Sequence, residues 1–136
     1  MTDYDALARC DALAQIAASR DESPVGSLVV AGDSVIGEGI EAAKARRDVT
    51  CHAEVEAIRA AVAMHGRDLS AATLYTTHEP CLLCSYVIRH HRIARVVIRH
   101  AVPDVGGATS RLPVLTTRDV ALWGPPPTIS WIRAQP

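Results

Sequence analysis

The stretch Thr76-Thr77-His78-Glu79-Pro80-Cys81-Leu82-Leu83-Cys84 decides how this chain reads, once His52-Ala53-Glu54 is set beside it. Pro80 suits the first turn of a helix, where no amide donor is needed. Residues three apart share a helix face, so Cys81 and Cys84 can grip one ion. A second helix begins at His52, with Val55, Ile58 and Val62 at helical spacing and Gly66 as its stop. Residues two apart diverge by roughly 200° on a helix, so His52 and Glu54 cannot both be ordinary ligands on one flank. Both can reach an ion in front of the helix end, His52 binding it and Glu54 approaching alongside. Two helix N-termini facing one ion favour thiolates over thiols.

His52, Cys81 and Cys84 form a donor set that suits zinc, one ion per chain, with a fourth position left for water or hydroxide. Zinc brings the pKa of such a water towards about 7. Glu54, unligated, then has the place of a general acid/base. Each half of the pattern is weak alone. A redox role for Cys81 and Cys84 leaves the His52–Glu54 pair unexplained. A structural zinc site needs a fourth protein ligand, and Cys51 is the nearest. Adjacent residues on a helix start diverge by about 100°, so Cys51 reads instead as a small buried residue. Cys10 reads as core.

Outward from these motifs, helices and strands alternate. Residues 4–19 are rich in Ala and Leu and read as an opening helix, broken by Ser23-Pro24-Val25-Gly26. Leu28-Val29-Val30-Ala31 and Val35-Ile36-Gly37-Glu38 read as a hairpin turning at Gly32-Asp33-Ser34. Residues 40–51 show no clear period and read as a loop. Residues 72–76 and 95–98 read as strands flanking the Cys-bearing helix, which runs to about His91. Residues 112–122 fit either a helix or a strand with a turn. The tail Gly124-Pro125-Pro126-Pro127 reads as extended. The 136 residues predict one domain, residues 1–136, of layered α/β type.

Composition narrows the function classes. Apolar residues make up 49% and charged residues 21%, and with no Phe the core must come from Val, Leu, Ile and Ala. No apolar stretch approaches the roughly 18 residues of a membrane span. The acidic Met-Thr-Asp-Tyr-Asp start lacks a signal-peptide core, which predicts a cytoplasmic protein. There, four cysteines point to metal or catalysis before disulfides. Charge nearly cancels, at 14 Lys plus Arg against 15 Asp plus Glu. The dense basic runs, Lys44-Ala45-Arg46-Arg47 and Arg89-His90-His91-Arg92, read as solvated faces. Nucleic acid is therefore not expected as a partner.

His-x-Glu followed by Pro-Cys-x-x-Cys resembles the signature of the zinc nucleobase and nucleoside deaminases. Val25-Gly26, Val35-Ile36-Gly37-Glu38-Gly39, Leu74-Tyr75, Glu79-Pro80-Cys81 and Arg92-Ile93-Ala94-Arg95-Val96-Val97 look like the bacterial guanine, cytosine and tRNA adenosine deaminase branch. The resemblance spans about residues 24–110. It implies a three-layer α/β/α sandwich with a five-stranded mixed sheet, a homodimer and one catalytic zinc per chain. Relatives usually carry Asn in the loop after the second strand, where this chain has Glu41. A carboxylate offers only acceptors, so Glu41 predicts a ring presenting N–H groups. His78 stands where relatives carry an apolar residue and is a second candidate for the pocket. A tail folding over the pocket would let Trp123 or Trp131 stack on a planar ring. Together these predict hydrolytic deamination of a small free amino-heterocycle, such as guanine, cytosine, isocytosine or an amino-s-triazine. Deamination of adenosine in tRNA is the alternative, and a non-catalytic zinc module is a third reading that Glu54 disfavours.

Overall fold

The computed structural model describes residues 1–133. Helix α1 (Asp3–Ser19) opens on a capping box, in which Thr2 and Asp5 exchange side-chain and backbone hydrogen bonds. Strands β1 (Gly26–Ala31) and β2 (Ser34–Ile40) form the hairpin, and Gly32 takes the positive φ of 60° that its turn requires. Then follow α2 (Ala43–Arg46), α3 (Ala53–His65), β3 (Thr73–His78), α4 (Leu82–His90), β4 (Arg95–His100) and β5 (Thr128–Trp131). The sheet order is β2-β1-β3-β4-β5. β1 runs antiparallel to β2 and β3, while β3, β4 and β5 are mutually parallel.

Strand alternation sorts the core into two faces. Leu28, Val30, Tyr75 and Val97 pack against Ala6, Leu7, Cys10 and Leu13 of α1. Val29, Leu74, Val96 and Ile98 face the opposite way, against Ala57, Ile58 and Ala61 of α3 and Ile88 of α4. The result is the expected five-stranded mixed sheet sandwiched between helices. α3 lies so close on β2 that a Cβ at Gly37 or Gly39 would overlap its backbone, at Ala57 and Ala53 respectively. On the α1 face, Arg95 at the start of β4 donates to both Asp3 carboxylate oxygens, at 2.9 and 2.6 Å, and to Ser130 at 3.2 Å. This ties the first helix to the last strand.

Several local expectations give way to tertiary contacts. Residues 43–46 are helical because Glu22, itself buried, accepts from the Lys44 and Ala45 amides. Pro80 precedes α4 rather than opening it, since Cys81 is the N-cap. Beyond Gly124-Pro125-Pro126-Pro127, which stay irregular, the chain adds β5, a parallel edge strand that the sequence pattern did not predict, with Trp131 opposite Ile98. Residues 112–122 stay almost wholly irregular, with one 3-10 turn (Ala121–Trp123) beginning at their end. Arg89 accounts for this. It is 1% exposed, and its guanidinium donates to the carbonyls of Val114, Leu115, Thr117 and Gly124. No helix among the described residues is long and apolar enough to cross a membrane.

Candidate metal and catalytic centre

β3 ends at His78, and the chain turns through Glu79 and Pro80 into α4. On the neighbouring α3, His52 is the N-cap, as Cys81 is for α4; neither side chain caps its own helix. Their donor atoms are left free to face each other. His52 Nδ1 lies 3.4 Å from Cys81 Sγ and 3.4 Å from Cys84 Sγ. All three donor atoms fall within 4.8 Å of one another. Ligands of a tetrahedral zinc, about 2.3 Å away for sulfur and about 2.0 Å for nitrogen, sit roughly 3.5 Å apart. Geometry and donor chemistry therefore fit zinc, and His52, Cys81 and Cys84 are positioned to hold it. Cys51 is buried and turned to Arg59, whose Nη1 approaches its sulfur at 3.7 Å.

The thiols are already polarised. Cys81 is held down to about 5, first by the hydrogen bond from Cys84 and then by the Cys84 and Leu83 amides and the nearby His52. Cys84, the donor in that bond, is pushed up. The opposite shifts make Cys81 the readier of the two thiols to serve as a thiolate ligand.

Glu54 lies beside this cluster in the first turn of α3 and is 4% exposed. Thr76, fully buried on β3, donates to its Oε1 at 2.6 Å, and Cys84 Sγ stands 3.3 Å from its Oε2. Burial pushes the Glu54 carboxyl up, against the lowering effect of Thr76. A carboxyl raised in this way is a stronger proton acceptor than a free one.

The remaining candidates separate. Glu41 directly follows β2 at the rim of the cluster. Burial raises its carboxyl, while the charge of His52 and the amide of Ala53 lower it. His78 ends β3, with Nδ1 2.9 Å from Thr77 Oγ1 and its ring 5.3 Å from that of His100. Burial, then His100, lowers its pKa. Trp123 is not brought to the cluster. It sits at the far end of α4, donating to His90 Nδ1 at 3.0 Å, edge-on to Tyr86 and beneath the Arg89 guanidinium. Trp131 lies on the edge strand, two strands from β3.

Residues 1–100 match the model of the cytidine and deoxycytidylate deaminase zinc-binding region. A tRNA(Ile)-lysidine synthase of Deinococcus radiodurans is 37% identical over 128 residues, covering 93% of this chain and 21% of that protein. A tRNA-specific adenosine deaminase of Buchnera aphidicola is 40% identical over 86 residues, covering 62% of this chain and 53% of that protein. The chain therefore spans between a fifth and about half of these relatives' lengths. The solved structure of a protein studied for A-to-I editing by tRNA:A34 deaminases superposes with a TM-score of 0.86 at 29% identity, covering 94% of this chain and 97% of that one.

These likenesses overturn two expectations, that the substrate is a small free heterocycle and that nucleic acid is no partner. Net charge is a whole-chain quantity and does not report what one local surface contacts. Glu22, Glu54 and Glu79 are buried, as are Arg89 and Arg99, so the charges outside the core stay as nearly balanced as the whole-chain count. Some carboxylates outside the core are paired with arginines, as in Arg9–Glu38 and Arg46–Glu56. Net charge then says little about a small substrate footprint.

Proposed function

This chain belongs to the cytidine and deoxycytidylate deaminase family, and from that premise we propose that it deaminates adenosine to inosine in a transfer RNA anticodon loop. The likeness to the tRNA:A34 deaminase structure over nearly the full length of both chains carries the reading. The tRNA-specific adenosine deaminase among the relatives supports it.

We assign His52, Cys81 and Cys84 as the zinc ligands and Glu54 as the proton carrier. Bound there, zinc supplies the Lewis acidity that makes water nucleophilic near neutral pH. Glu54 takes a proton from the water whose oxygen bonds to C6 of the adenine. It delivers that proton to the ring nitrogen N1, then takes the remaining proton from the new C6 hydroxyl and passes it to the amine; the C6–N bond breaks, ammonia leaves and the C6 carbonyl forms. Thr76 fixes the Oε1 end of the carboxylate throughout. Glu41 and His78 line the approach, and Glu41, an acceptor only, suits a donor such as a ribose hydroxyl. A tRNA substrate implies work in the cytoplasm. We infer a homodimer from the family resemblance, and the groove of about 470 Å³ lined by Val55, Ile58, Val62 and Val87 with Arg59, Arg67 and His91 is its candidate seam.

The test is incubation of zinc-loaded protein with an anticodon stem-loop RNA carrying adenosine at the wobble position. Inosine at that position, read by mass spectrometry, is the expected product. Ammonia release from free guanine or cytosine, with no inosine in the RNA, would sink the reading. Within this mechanism, Thr76→Val keeps the side-chain shape but removes the donor. It is expected to lower kcat about tenfold, the lower end of a hydrogen bond to a charged group at ~1.5–3 kcal/mol. Zinc content should not change. Equal kcat in Thr76→Val and wild type would show that Glu54 needs no such anchor.

A further inference from the structure

Glu79 is a buried acid that the chemistry above leaves unused. It is 3% exposed and sits between the end of β3 and the ligand Cys81. Its two oxygens accept four hydrogen bonds from both ends of the segment 101–109. Oε1 accepts from the Val102 amide at 2.9 Å and the Thr109 hydroxyl at 2.5 Å. Oε2 accepts from the amides of Ala108 at 2.9 Å and Thr109 at 2.7 Å.

The same segment is pressed onto the metal-bearing turn. Gly106 pairs with Cys81 in an isolated β-bridge, and the Gly107 amide donates to Pro80 O at 2.9 Å. A Cβ at Gly106 would overlap the Glu79 carboxylate, and one at Gly107 would overlap Ser85 on α4. Both glycines are therefore required for contact this close. Between the anchored ends, Pro103, Asp104 and Val105 are exposed. A short loop with a rigid base and a free tip thus stands beside one metal ligand.

We propose that Glu79 is a positioning residue for RNA deamination: it clamps both ends of the 101–109 loop so that the exposed tip forms a wall against which the RNA strand is seated beside Cys81. The proposal rests on the tRNA reading above. A long carboxylate can satisfy three backbone amides and a hydroxyl at once. An amide side chain has one acceptor atom and turns its NH2 against the remaining donors. Loosening the clamp frees the loop without removing any metal ligand or Glu54.

The experiment is steady-state deamination of an anticodon stem-loop RNA by zinc-loaded wild type, Glu79→Gln and Thr109→Ala. Glu79→Gln is expected to raise KM at least tenfold, with kcat changed less than threefold and one zinc per chain retained. Thr109→Ala removes one bond from an exposed residue and leaves a foldable chain if Glu79→Gln proves unstable. It is expected to raise KM about threefold, again with little change in kcat. KM within twofold of wild type in Thr109→Ala and in any folded Glu79→Gln overturns the proposal. So does a loss confined to kcat, or a loss of zinc from either variant, because Glu79 would then serve the metal site rather than the loop. Wild type that makes no inosine in the stem-loop overturns the tRNA reading, and the proposal falls with it. Wild type that is active while KM stays unmoved overturns the proposal alone.

Discussion

Cys84→Ala protein, expressed with added zinc, is expected to carry no bound metal and to deaminate nothing above background, while wild type carries one zinc per chain. Cys84 is fully buried, and its sulfur lies within hydrogen-bonding reach of both His52 and Glu54. Removing it takes away one of three protein ligands. It also deprives Glu54 Oε2 of its neighbour. A site left with His52 and Cys81 has too few ligands for a tightly held ion. Metal binding is coupled to folding where thiolates must be held together. The variant should therefore also melt earlier than wild type, by an amount that added zinc does not restore. Metal analysis of the purified protein is the deciding measurement. Near-stoichiometric zinc in Cys84→Ala would mean that the ion is held elsewhere.

Glu54→Gln should behave in the opposite way, keeping the zinc and the fold while kcat falls roughly 10²-fold or more, the scale of a lost general acid/base. The substitution is nearly isosteric. The amide oxygen can still accept from Thr76, and the NH2 can face Cys84, so the buried site stays satisfied. What is lost is a group that can hold a proton between its removal from water and its delivery to the ring. Metal content and kcat are measured on the same preparation. If Glu54→Gln loses the ion, Glu54 is a ligand and the division of roles with His52 falls.

Much of this centre was legible in the sequence because its chemistry is local. His52, Cys81 and Cys84 each sit at the start of a helix, and helix starts leave marks within a few residues. The hairpin was legible for the same reason, since its turn residues lie between two alternating apolar runs. β5 was not. It has four residues, follows three prolines and pairs with a strand about thirty positions earlier. α2 was missed because the carboxylate that accepts from its first amides, Glu22, lies 22 residues before Lys44. Glu79 showed only as the residue before Pro80. Its role depends on three amides more than twenty residues away. The likeness to tRNA deaminases escaped the charge count because a whole-chain sum does not report one local contact surface. Glu41 alone was a poor guide to the substrate, since one carboxylate accepts equally well from a ring N–H or a hydroxyl.

The Asp3–Arg95–Ser130 junction bears on how this unit can be joined to other proteins. Arg95 opens β4, whereas the metal-bearing turn follows the end of the parallel neighbour β3, so junction and catalytic centre occupy opposite ends of the sheet. A second module grafted through a short linker beside Asp3 would project away from the substrate's path. The same module inserted at the tip of the 101–109 loop would stand in the doorway.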